Sequence, residues 1–280
     1  MDMKRNRISW FGQVGVYIGK CFRLFINEKQ WKNFLTSAVL MFIILIVTTE
    51  NMFKVFKDTK NGVFTIICGC VWIGLFNSIQ SICRERAIIK REYRTGLRLS
   101  AYITAHALYE AFLCAVEALI VVIMMYIRYH KEITSDGLIT VPPIDFYITF
   151  FLIVFGSDSI AVFVSSLVRK ENTAMTIMPF VLIVQLVMSG AIFPLEKATD
   201  VISYGTFSRW GIIGAMRIAN MNDKLKADYQ IAFDKGLEKM NMEPEAAELW
   251  KVWGIILLIT LIFLVGSALI LRLVDKDKRI

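Results

Sequence analysis

Side chains that can carry charge or move protons sit in a few places along this 280-residue chain, and their spacing limits the chemistry open to them. The densest block is residues 84–102, RERAIIKREYRTGLRLSAY, wedged between two apolar runs. Read as a helix, it sets Glu85, Arg86, Lys90, Arg91, Glu92 and Arg94 in alternating charge, with Ile88 and Ile89 as an apolar edge. That pattern suits ion pairing with the groove of a soluble partner. The plainer reading is a basic loop that only sets topology, a task for which Glu85 and Glu92 are not needed.

A second group lies inside apolar runs. Glu110 and Glu117 are one heptad apart, and Asp158 stands among Gly156, Ser157 and Ser159. A charge at the bilayer centre costs about 2.5–3.5 kcal/mol on insertion scales, so such residues line an ion or proton path or pair between helices. Pairing is the simpler account. Hydrolytic chemistry is poorly supported: His106 and His130 are the only histidines, no H-E-x-x-H spacing occurs, and Ser189-Gly190 lacks a G-x-S-x-G context. His106 with Glu110, four residues on, reads as an interfacial hydrogen bond. Neither catalytic residues nor metal ligands are expected.

The elements that must hold these groups are helices in a bilayer. With 56% hydrophobic residues and 20% charged, the composition is that of a polytopic membrane protein. The net charge of +8 falls in particular loops, as topology requires, and nucleic acid is not an expected partner. Cys21, Cys68, Cys70, Cys83 and Cys114 read as small core hydrophobes without external disulfides. The start, Met-Asp-Met-Lys-Arg-Asn-Arg, lacks the compact apolar region and cleavage site of a signal peptide, so the chain is expected to be kept whole.

One transmembrane domain is expected over 1–280. An amphipathic interfacial helix occupies 1–33, with Trp10, Val14, Tyr17 and Cys21 on one face and Lys20 and Arg23 on the other. Six transmembrane helices follow at 34–53, 63–83, 103–127, 145–167, 173–191 and 252–272, each near the roughly 20 residues that cross about 30 Å. With both termini in the cytosol, the inner segments hold about 19 Lys and Arg against about 7 acids, and the outer ones about 13 of each. Lys276, Lys278 and Arg279 support that orientation. Of the outer stretch 192–251, the apolar part with Phe193, Pro194, Trp210 and Gly214 reads as re-entrant, and 217–250 as one or two helices in water.

Three motifs in this frame resemble the membrane domains of G-subfamily ATP-binding-cassette exporters. They are Glu85-Arg86, Arg91-Glu92, Gly96, Ser100 and Tyr102; Ser189-Gly190-Ala191-Ile192; and Ser208-Arg209-Trp210-Gly211, with Trp10 and Gln13 as a weaker match. The chain departs from the family's commonest layout by lacking a G-x-x-x-x-G-K-[ST] loop, since Gly19-Lys20 precedes Cys21 without the upstream glycine. It also carries Thr206-Phe207-Ser208 where many members have a proline before the Arg-aromatic pair.

The resemblance implies a permease subunit with no ATPase site of its own. Its partners would be cytosolic ATP-binding-cassette subunits holding ATP and Mg, a second permease copy or paralogue, and membrane lipids. It implies a coupling helix at 84–98, where Glu85, Arg86 and Glu92 join a polar relay and Arg91 and Arg94 belong to the same ATPase contact. Cys70, Ile73, Asn77, Met178, Leu182 and Gln185 would line the substrate cavity beneath a plug of Ala191 and Ile192. An apolar lining with a few amides fits outward transport of a lipid, peptide or hydrophobic drug across a bacterial inner membrane. Two alternatives stay open: an exporter of lipid-linked polysaccharide, and a non-transporting anchor or sensor subunit.

Overall fold

The computed structural model describes residues 9–133, 137–193, 195 and 197–274. The stretch Met1–Arg7, Pro194, Lys276, Lys278 and Arg279, used above, lie outside the described residues. Among those described there are eleven helices and no strand. The protein is an all-α membrane protein.

The first helix, α1 (Trp10–Asn27), starts where the Ser9 side chain accepts a hydrogen bond from the Gly12 amide at 3.2 Å. A short turn follows, and α2 (Lys32–Val47) leaves at 70° to α1. This bend separates an amphipathic helix from an apolar one, as the distribution of Lys20 and Arg23 requires. Next come α3 (Phe56–Ser78), α4 (Ser81–Arg94), α5 (Leu99–Tyr129) and α6 (Pro142–Leu167). The chain continues through α7 (Glu171–Val187), α8 (Lys197–Ser203), α9 (Phe207–Ala219), α10 (Asp223–Asp234) and α11 (Ala246–Val274).

Four helical stretches are long and apolar enough to cross a membrane: α3 with α4, α5, α6 and α11. The bent α1–α2 pair would make a fifth, whereas α7, at 17 residues, is shorter. Four of the six expected spans fall on helices long enough to cross, α3, α5, α6 and α11, while those expected at 34–53 and 173–191 fall on α2 and α7, which by themselves are not. The second expected span begins at Phe56 instead of residue 63 because the polar turn around Lys57, Asp58 and Lys60 is helical too.

Small residues let the central helices approach closely. A Cβ on Gly74 would lie 2.2 Å from the Val154 carbonyl oxygen, so α3 and α6 touch backbone to backbone there. Gly156 likewise receives the Phe207 ring, and Gly211 receives Ile153 and Ile67. Around this centre α11 presents Leu257, Leu258, Leu261, Ile262 and Val265 outward, as a lipid-facing helix does.

Candidate functional site

Three places concentrate polar contacts: the α4 end of the bundle, the buried middle of α3, α5 and α6, and the hairpin between α7 and α11.

At the α4 end, helical spacing sends the acids and the arginines in opposite directions. Glu85 and Glu92 are seven residues apart and turn toward α1 and α5. Glu85 accepts from Lys20 Nζ and from Tyr102 Oη, both at 3.0 Å, and Glu92 accepts from Tyr17 Oη at 2.5 Å. The Tyr17 and Tyr102 rings meet edge to face at 5.4 Å. Burial, reinforced by the Glu92 hydrogen bond and the charges of Glu92 and Glu85, pushes the Tyr17 phenol up from its ordinary range. Tyr17 therefore stays a donor.

Arg86 turns inward as well and donates to the Val168 carbonyl in the α6–α7 link. The first amides of α4, Ile82 N and Cys83 N, donate to Ser165 Oγ of α6, each at 3.1 Å. This caps a helix start that carries no cap of its own. Its far end is closed by Gly96, whose φ of +115° suits a residue without Cβ. Gln13 of α1 then clasps the turn, donating to Gly96 O at 3.3 Å and accepting from Arg98 N at 2.9 Å.

Exposed on α4 are Arg84, Ala87, Ile88, Arg91, Tyr93 and Arg94, with Arg98 beyond its end, and of these Arg84 reaches Glu28 at the end of α1 at 3.6 Å. The alternating charge expected for an outward surface is thus corrected. Both acids are engaged internally, and the exposed side chains are mostly basic, with Ile88 and Tyr93 among them. Of the apolar pair, Ile88 is exposed and Ile89 buried. Sequence spacing could not decide this, because the partners of Glu85 and Glu92 lie 65 and 75 residues away on α1.

In the middle of the bundle the two α5 carboxylates differ. Glu117 accepts from Asn77 Nδ2 at 2.6 Å and from Ser37 Oγ at 3.0 Å, joining α5 to α3 and α2. Glu110 sits with its Oε1 3.5 Å from His106 Nδ1, beyond the expected hydrogen bond, and its Oε2 has no partner. Asp158 is fully buried, with both oxygens unpartnered.

The residues expected to line a cavity are placed inside the subunit. Cys70, Ile73, Met178 and Leu182 belong to the main core, and Asn77 is held by Glu117. Gln185, 4% exposed, accepts from the amides of Phe207 and Ser208 at 3.0 and 3.3 Å, capping α9. The side chains of α3 and α7 that face outward are Trp72, Phe76, Phe180, Ile183 and Val184. Trp72 and Phe76 stack at 5.4 Å.

After α7 the chain turns at Gly190, with φ +73°, and Ser189 Oγ accepts from Ala191 N at 3.3 Å. Ile192 is exposed and Ala191 partly covered. Arg209 reaches back to α8: Nη1 donates to Asp200 Oδ1 at 2.5 Å and to Ser203 Oγ, and the guanidinium lies 4.2 Å from the Tyr204 ring centre. Every α9 side chain but that of Trp210 is buried, among α3, α6, α7 and α11.

Beyond α9, Arg217 donates to Glu248 O at 2.8 Å and pairs with Glu248 Oε2 at 3.3 Å. Lys60 pairs with Glu238 at 2.6 Å. The 217–250 stretch, expected to stand in water, is tied down on the bundle. Sequence reasoning also missed Asp145, which accepts from the amides of Leu138, Ile139 and Thr140 and fixes the loop before α6. An acid in the first turn after Pro142-Pro143 was the available signal.

An amphipathic helix clasps a short basic one beside closely packed apolar helices, several of them long enough to cross a membrane. The chain belongs to the ABC-2 type transporter family, whose model matches residues 13–218. It is also 24% identical, over 145 residues, to the ABC transporter ATP-binding/permease protein Rv1747 of Mycobacterium tuberculosis. That match covers 51% of this chain and 17% of the relative's length. As a family member it is a permease component of an ABC transporter and not the ATPase. The G-subfamily-like resemblance in the sequence agrees with this membership.

Proposed function

We propose that this chain is the permease subunit of an ABC exporter, in which α4 passes the movement of separate cytosolic ATPase subunits to α1, α5 and α6. The observation that carries the reading is the division of labour on α4. Glu85, Arg86 and Glu92 fasten it to three neighbours, while Ile88, Arg91 and Arg94 are left exposed for a partner and Arg84 is shared with Glu28 at the end of α1. A helix held this way transmits a push as a rigid body instead of flexing. Its ATPase partner would offer an acidic groove with an apolar notch for Ile88.

Substrate passes outward between two permease copies whose free faces carry Trp72, Phe76, Phe180, Ile183 and Val184. These side chains suit an amphipathic or lipid-like molecule. A large exposed apolar face on α7 also fits a helix that meets a second subunit. The host membrane is a bacterial inner membrane, with both termini in the cytosol.

Co-purification with the ATPase and measurement of permease-stimulated ATP hydrolysis test the reading. Glu92→Ala and Arg86→Ala each lower the stimulation; unchanged coupling in both would remove α4 from the proposed role.

A further inference from the structure

Side chains from three helices converge in the bundle with too few donors among them. Ser78 ends α3, Glu110 lies on α5 and Asp158 on α6, at 0%, 3% and 0% exposure. Ser78 Oγ, Glu110 Oε2 and both Asp158 oxygens find no hydrogen-bond partner outside the cluster. Within it the single Ser78 hydroxyl is the one donor set against two carboxyls, whose charges oppose one another. Among the described residues no lysine or arginine pairs with either acid, and His106 stands 3.5 Å from the far oxygen of Glu110. Glu117, one heptad along α5, shows the contrast: both of its oxygens are satisfied.

The cluster therefore has acceptors in excess and lacks a positive charge, an arrangement too costly to keep in a low-dielectric interior unless something neutralises it. We propose that Ser78, Glu110 and Asp158 form an intramembrane site for one monovalent cation, taken up as sodium or as a proton. Two carboxyls and a hydroxyl match a weakly held single charge. Two carboxyls and one hydroxyl fall short of the six to eight oxygens calcium takes and offer none of the nitrogen or sulfur that zinc or copper prefers. The other titratable groups near the site are His106, Tyr109, Cys114 and Glu117 of α5 and Cys21 of α1. From α3 the neighbour is Ser78, from α6 Asp158 itself, and Glu85 of α4 and Lys20 of α1 act on His106 from farther off.

Position gives the site a consequence. Ser78 is followed only by Ile79 and Gln80 before α4 begins at Ser81. A cation drawing Ser78, Glu110 and Asp158 together closes the joint from which α4 projects, and its loss loosens that joint. Binding itself stands without the transport reading; the effect on α4 rests on it.

The test uses the full chain in lipid nanodiscs, followed by thermal unfolding. Sodium chloride is compared with choline chloride at fixed pH, and pH is then varied in choline chloride. A ligand that binds only the folded state raises the midpoint. A sodium site gives a midpoint that climbs with sodium, a response lost in Asp158→Asn. A proton site gives no sodium response but a protonated-carboxyl infrared band that disappears in Asp158→Asn. If Asp158→Asn does not fold, Glu110→Gln is measured in its place against the same two readouts. A wild type indifferent to sodium, with a carboxyl band unaltered by the variant, overturns the proposal. ATPase stimulation is scored separately, so a cation response without any ATPase coupling retains the site and removes the transport reading.

Discussion

Tyr17 Oη donates to Glu92 Oε2 at 2.5 Å across the contact between α1 and α4, joining residues 75 positions apart. With Lys20–Glu85, one turn along α1 and two along α4, it makes α1 and α4 a single unit. Whatever moves α4 moves α1 with it.

Tyr17→Phe removes only the hydroxyl and leaves the ring on Tyr102. A hydrogen bond to a charged group is worth about 1.5–3 kcal/mol when buried. Since this contact is partly exposed, about 1 kcal/mol of destabilisation is expected. Thermal unfolding in detergent and ATPase stimulation by the copurified partner check it, and stimulation should fall more than stability does.

Gly74→Val is expected to abolish correct assembly. The first added carbon would meet the Val154 carbonyl oxygen at 2.2 Å, and backbone cannot step aside as a side chain can. Overpacking costs about 1–3 kcal/mol in ordinary cores, and a backbone clash lies at or above the top of that range. Size-exclusion profiles of the variant should show aggregated material, while Gly254→Val, where a Cβ meets nothing, should remain monodisperse.

Gln185→Leu keeps the volume of the side chain but strands the Phe207 and Ser208 amides. Leaving a buried donor unmade costs about 1–3 kcal/mol, so this variant should unfold earlier than Gln185→Glu, which can still accept. Limited proteolysis near 188–206 should accelerate in Gln185→Leu alone.

Cys21 on α1 should resist thiol reagents. Burial, then the charges of Glu85 and Glu110, push its thiol up to about 12 from an ordinary value of 9.0. Folding thus disfavours the thiolate. It leaves stability unchanged at neutral pH and lowers it as pH rises above the ordinary thiol value. Maleimide labelling at neutral pH should be slow in the folded chain and rapid after denaturation; equal rates would contradict this burial.

Much of this architecture was legible from residue types. Apolar runs located α3, α5, α6 and α11, with the start of α3 missed by a polar helical turn, and the charge density of 84–94 marked α4 because no such segment can lie in hydrocarbon. Two things were not legible, for physical reasons. The direction in which Glu85, Glu92 and Arg86 point depends on Lys20, Tyr17 and Val168, which are distant in sequence. The amides of Asn77 and Gln185 look alike whether they line a cavity or satisfy a buried neighbour. Only the positions of Glu117 and of the α9 amides decide between the two.

In the proposed role the exposed basic side chains of α4 meet an ATPase on the cytosolic side. A photo-crosslinking amino acid at position 91, in cells expressing the full chain, reads that contact directly. A crosslinked product containing a P-loop ATPase is expected, lost in a background carrying the flanking Arg94→Glu substitution. Reaction of a cysteine at that position only with impermeant reagents added outside intact cells would contradict it.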